Sequence, residues 1–171
     1  MVDRPRMLTD EQQDSLKGAT PSHLREFLFW VNPYLTGEEV WPRIQCYGAA
    51  FCYYTRSLEG YLTVETAVKR QLQEDPTGFK IAPTILKNCF SETQSPQLGD
   101  VAIFYRGKKH IHAGVHVTDT PAGNIVLSKE NTGNLPLLDD FEDYLLSIYG
   151  ANIVKYFTPT LGNHKLEDIF F

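Results

Sequence analysis

Hydrophobic spacing divides the chain into two halves. In residues 21–32 the run PSHLREFLFWVN places Leu24, Phe27, Leu28 and Val31 at i, i+3, i+4 and i+7, which predicts an amphipathic helix that Pro33 ends. Upstream, Leu8-Thr9-Asp10-Glu11-Gln12 predicts a short helix capped at Thr9. Residues 45–54, QCYGAAFCYY, open with small residues and continue apolar without strand alternation, which predicts a buried helix reaching about Leu58 with Cys46 near its N-terminus. A further helix is predicted over 63–74, stopped by Asp75-Pro76. Beyond residue 78 the runs are short and β-like. Strands are predicted at 79–82, 101–105, 112–117, 125–128 and 151–157, with a short helix over 138–146. Leu98-Gly99-Asp100 reads as the turn into the second of these strands, and Arg106-Gly107-Lys108-Lys109 as a solvated hairpin loop.

Helices first and an antiparallel meander afterwards define an α+β layout rather than alternating βαβ units. The 171 residues fit one domain, with 1–20 as an N-terminal extension and the core over about 21–160. Ten Phe, nine Tyr and two Trp supply enough apolar surface for a packed core. The net charge of −5 argues against a nucleic-acid partner, which requires a clustered positive surface. No run of about 18 apolar residues suggests a membrane span. The N-terminal MVDRPRMLTDEQQDS carries no apolar stretch of a secretory kind, so the expectation is a chain made in the cytoplasm. Three cysteines without CxxC or Cys/His metal spacing point away from a disulfide framework and from a metal centre.

Taken alone, Cys46 reads first as a small core residue. Its place at a helix start is also where a thiolate gains partial positive charge and where first-turn N–H groups can face an oxyanion, with Gly48 and Ala49 leaving space above the sulfur. The second half of the chain shifts the balance. His112 opens a predicted strand, and Gly114 on the same face leaves room beside it. Pairing of Val117 with Ile125 would set Glu130 opposite His112, and a one-residue slip would set Asn131 there. Either could orient the imidazole in a Cys-His-polar arrangement; Asn131 reads equally well as part of an Asn-Thr-Gly turn.

These residues resemble a family. Pro33-Tyr34-x-x-Gly37 followed by Cys46, then LGDVAIF over 98–104 and HAGVHV over 112–117, resembles the catalytic helix entry and the "GD-apolar-F … HxGI-apolar" signature of NlpC-type papain-fold peptidases. Gln45-Cys46 is similar to the related CHAP amidases. Leu127-Ser128-Lys129 and Ser147-Ile148-Tyr149-Gly150, before a strand containing Tyr156, look like the C-terminal half of bacterial NlpC-like proteins. The resemblance spans roughly 33–157. It implies a papain-like core, with N-terminal helices packed on an antiparallel sheet, and a cysteine hydrolase cleaving amide bonds in peptidoglycan peptides without a cofactor.

By position the resemblance makes Cys46 the nucleophile, His112 the base and Tyr34 a helper near the oxyanion. Tyr47 replaces the family's small residue after the cysteine and narrows the cleft. The family's third polar position falls on Leu127 or Ser128, so the orienting residue is taken as Glu130 first and Asn131 second. A wall-cleaving enzyme made without a signal would leave by a dedicated secretion route. The alternatives are an intracellular acyltransferase, thioesterase or deamidase on the same fold, or an inactive binding module. Oligomeric state is not legible.

Other candidates read as structural. His116, on the same strand face as His112, reads as a satisfied, partly buried side chain, and His110 as an exposed loop residue. His23 and His164 have no arguable partner. Cys52 and Cys89 read as packing residues, the latter in a loop-like stretch, and the 110/112/116 histidine spacing matches no zinc motif.

Overall fold

The computed structural model describes residues 10–11, 43–52, 68, 70–130 and 138–160. Within them, α1 (Cys46–Cys52), α2 (Ala82–Cys89), β1 (Phe90–Thr93), β2 (Val101–Arg106), β3 (Lys109–Thr120), β4 (Gly123–Ser128), β5 (Leu138–Phe141), α3 (Glu142–Tyr149) and β6 (Ile153–Pro159) follow in chain order. The strands form one six-stranded antiparallel sheet in the order β1-β6-β2-β3-β4-β5. The protein is therefore α+β.

Both faces of the central strands are covered, which explains why β2 is an unbroken apolar run instead of an alternating one. On one face Val101, Ile103, Ala113, Val115, Ile125 and Leu127 pack with Tyr47, Ala50 and Phe51 of α1 and Ile85 of α2. On the other, Ala102, Phe104, Val126 and Tyr156 pack with Leu145 of α3. Odd and even positions of one strand thus serve different helices, as the two-residue period of a strand requires.

Two irregularities set the register. In β2–β3, Phe104 pairs with His112 and Tyr105 with His110, so Ile111 is the extra residue of a bulge. In β3–β4, His116 pairs with Val126 but Thr118 with Ile125, so Val117 is extra. The expected pairing of Val117 with Ile125 is corrected by this bulge. On the far side of it the ladder keeps the anticipated alignment, with Val115 opposite Leu127.

Several sequence expectations are revised. Residues 79–82 form no strand: Asp75 accepts the Lys80 N–H at 3.0 Å, Gly78 turns the chain at φ 74, and Pro83 sits in the first turn of α2. Ala82, Ile85 and Cys89 then form that helix's buried face. Cys89 is accordingly the last, fully buried residue of α2 and not a loop residue. The helix expected over 138–146 begins only at Glu142, because Leu138–Phe141 pairs with β4. It starts with Glu142 and Asp143, whose charges suit a helix N-terminus, and ends at Gly150 with φ 61. Arg106 is more than a solvated hairpin residue, since its guanidinium donates to the carbonyls of Gly150 at 3.0 Å and Tyr149 at 2.7 Å, tethering the end of α3.

Residues 70–74 are helical, as the helix over 63–74 anticipates. The helix expected over 21–32, together with Tyr34, Asn131, His23 and His164, lies outside the described residues.

Candidate active site

α1 starts at Cys46, and its first-turn amides, which lack intrahelical acceptors, can each be followed. The N–H groups of Cys46 and Tyr47 face the Cys46 sulfur. Gly48 donates to the Thr77 carbonyl at 2.9 Å, and Ala49 makes the first helical bond, to Gln45, at 2.9 Å. A Cβ at Gly48 would lie 2.3 Å from the Pro76 carbonyl oxygen and 2.9 Å from Ile44 Cγ2. The glycine thus admits the 76–78 turn; it does not open space over the sulfur, and its N–H is already committed.

Cys46 is 7% exposed, and its sulfur also receives the N–H of Ala113, the residue after His112 on β3. The β3–β4 ladder stops at Val115 and Leu127, so the thiol meets β3 where β4 has left it. Burial pushes the Cys46 thiol up to about 11, against the pull of those three amides and of the Lys129 charge. At neutral pH the resting group is a thiol.

His112 is buried at 1% exposure on the α3 side of the sheet. Its ring stacks on Tyr149, with centroids 4.0 Å apart and planes 14° from parallel, and tilts against Phe104 at 5.6 Å. Its Nε2 lies 3.0 Å from Ser128 Oγ. Strand alternation puts Ser128 on the same face as His112, and Gly114 lets it lean across, since a Cβ there would lie 2.4 Å from Val126 Cγ1 and 3.2 Å from Ser128 Cβ. The space beside Gly114 is thus taken by β4 side chains. The sequence reading passed over Ser128, one of the two positions the resemblance offered, in favour of Glu130 and Asn131; strand alternation, which puts Ser128 on the His112 face, would have selected it over Leu127.

Cys46, on the α1 side of the sheet, and His112, on the α3 side, both line one cavity of about 150 Å³. Gln45, Cys46 and Tyr47 line it from α1 and its approach, Phe79 from the turn before α2, and Ile111 and His112 from β3. Glu130, just past β4, and Tyr149, at the end of α3, complete the lining. Glu130 is therefore at the cavity, while the imidazole Nε2 is met by Ser128. Tyr47 is a buried wall, with its hydroxyl 2.7 Å from Nδ1 of His110 and its ring edge-on to Phe79. Burial raises its phenol well above the usual value. His110 is hence a half-buried β3 residue and not an exposed loop one, turned towards α1 beside the bulge at Ile111.

His116 lies elsewhere. Its Nε2 is 3.2 Å from Asp119, its ring is edge-on to Tyr156, and its buried Nδ1 meets no partner among the described residues, so it is only half satisfied. Asp100 of the Leu98-Gly99-Asp100 turn accepts the Gln97 N–H at 2.8 Å, and its carbonyl accepts the His116 N–H at 2.8 Å. That motif locks the entry to β2 and brings no side chain to the cavity. A second cavity of about 220 Å³, lined by Glu92, Asn124, Glu142, Lys155 and Tyr156 among others, contains none of the anticipated site residues. Among the described residues no group of three or more His, Cys, Asp or Glu side chains is arranged to hold a metal ion, and no described helix is long and apolar enough to cross a membrane.

The chain matches no protein-family model, no curated protein and no solved structure.

Proposed function

We propose that the protein is a cysteine hydrolase with a papain-like arrangement, cleaving amide bonds in peptidoglycan peptides through an acyl-enzyme on Cys46. The observation that carries this reading is the shared cavity: a helix-start cysteine and a strand histidine line it together, and the sulfur contacts the amide of the residue next to that histidine. In this mechanism His112 takes the thiol proton as the sulfur attacks the carbonyl, and Ser128 keeps Nε2 engaged so that Nδ1 serves as the base. The proton then passes to the leaving amine, and water resolves the thioester. The first-turn amides of Cys46 and Tyr47, which already face the sulfur, suit the oxyanion. A cavity of about 150 Å³ has room for a small side chain at the scissile bond.

Replacing Cys46 with Ala should abolish release of fragments from defined muropeptides, assayed alongside acyl-thioesters and protein glutamines. Unchanged muropeptide turnover in that variant would end the proposal, and turnover of only the other substrates would move it to an acyltransferase, thioesterase or deamidase. One observation favours a second reading, an inactive binding module on the same fold: burial leaves Cys46 protonated at rest. That reading expects wild-type protein to bind wall peptides without cleaving them.

A further inference from the structure

Residues 128–130 at the end of β4 reach the site in three ways. Ser128 meets the His112 imidazole on one face of the sheet, and Glu130 lines the cavity. Lys129, pointing to the opposite face, is fully buried, and its Nζ donates to the Ile44 carbonyl at 2.6 Å. In an unbroken helix that carbonyl would accept the Gly48 N–H, four residues on. Gly48 instead donates to Thr77, so the ammonium takes the acceptor that the helix has given up. Lysine is almost never fully buried unless paired, and an apolar chain of similar volume would fill this space without desolvating a charge. A space-filling role alone does not account for it.

We infer that Lys129 is a positioning residue for the nucleophile: its ammonium clamps the Ile44 carbonyl, fixes the Ile44-Gln45-Cys46 turn against the end of β4, and through that turn brings a positive charge to bear on the thiolate that forms during attack. This rests on reading Cys46 as the nucleophile. Among the described residues, the titratable side chains that line the cavity with Cys46 are Tyr47 from α1, His112 from β3, Glu130 from the β4 exit and Tyr149 from the end of α3, and Lys129 acts on the thiol by its charge. Among the described residues, the Lys129 charge favours the ionised form of the thiol. Ser128 and Lys129 together make one strand end address both reacting partners, the base on one face and the approach to the nucleophile on the other.

The test is the rate of Cys46 alkylation by iodoacetamide at mildly alkaline pH, with the modified cysteine located by peptide mass, on the full chain. Lys129→Met should slow alkylation about tenfold, the effect of raising the thiol by about one pH unit, and Lys129→Arg should stay near wild type. Lys129→Gln, which keeps a donor without charge, should resemble Lys129→Met. A lysine that merely holds the fold predicts the opposite sign, because loosening the turn exposes a buried thiol and speeds the reaction. Faster or unchanged alkylation in Lys129→Met or Lys129→Gln overturns the inference. So does failure of both to fold while Lys129→Arg folds. No substrate enters the assay, so its outcome is independent of whether Cys46→Ala retains hydrolysis.

Discussion

Ser128 Oγ and His112 Nε2, sixteen residues apart in the chain, lie 3.0 Å from each other in a part of the sheet where both side chains are buried. The contact fixes one edge of the imidazole, while the parallel ring of Tyr149 fixes its plane. Arg106 in turn holds the Tyr149 carbonyl, so the β2–β3 hairpin, the end of α3 and the end of β4 converge on a single ring. Such convergence holds the ring in one orientation better than any one contact.

Ser128→Ala should lower kcat/KM on a muropeptide by about 3- to 10-fold, the rate equivalent of one neutral hydrogen bond. It should also destabilise the fold by about 1–2 kcal/mol, because a buried ring nitrogen loses its partner. Steady-state kinetics beside a denaturant titration read both; wild-type kinetics would show that the hydroxyl does not orient the base.

Gly114→Ala should destabilise by about 1–3 kcal/mol, because the new Cβ meets the Leu127 carbonyl oxygen at 2.9 Å as well as Val126, and a backbone atom cannot swing aside. The β3–β4 pair must open, carrying Ser128 away from His112. A loss of activity larger than that of Ser128→Ala is expected, with the denaturant midpoint as the check on stability.

Alkali should destabilise the protein through its thiols. Burial raises Cys46 and Cys89 from 9.0 to about 11 each, so above pH 9 the unfolded chain releases protons that the folded chain still holds. Stability present below that pH is therefore lost as pH rises towards 11, with a ceiling of about 2–3 kcal/mol per group. Urea midpoints measured across this range should fall less steeply in Cys89→Ala than in wild type. Equal slopes would contradict the assignment.

Acid should act through His116. Burial lowers its basicity, outweighing the attraction of Asp119, Asp100 and Glu142, so the folded state resists protonation that the unfolded chain accepts. The stability contribution is whole above about pH 6.5 and declines as pH falls through the depressed folded value. His116→Gln should flatten the melting temperature between pH 7 and 5, and an unchanged profile would exclude His116 as the source.

The sequence carried the layout further than it carried the site. Val101–Arg106 and Gly123–Ser128 announce themselves as apolar runs between turn residues, and the apolar run after Cys46, without strand alternation, marks the helix that Cys46 starts. What local patterning cannot encode is the pair of bulges. Ile111 and Val117 each add one residue, which turns His110 towards Tyr47 and shifts the partner of Ile125. Helix α2 was hidden because Phe79, Ile81 and Ile85 fit a strand as readily as a helix, and the Asp75 and Gly78 turn decides between them. The burial of Lys129 was not legible for a different reason: nothing near it in sequence marks it as buried, and only the tertiary position of the Ile44 carbonyl gives its ammonium a partner inside the fold.

A sulfur held neutral and away from solvent is also protected chemically. Peroxide attacks thiolates, so Cys46 at rest should resist progression to sulfenic and sulfinic acids that would disable an exposed, ionised cysteine. The same burial that keeps the Cys46 sulfur from bulk water should give the molecule durability under oxidising conditions.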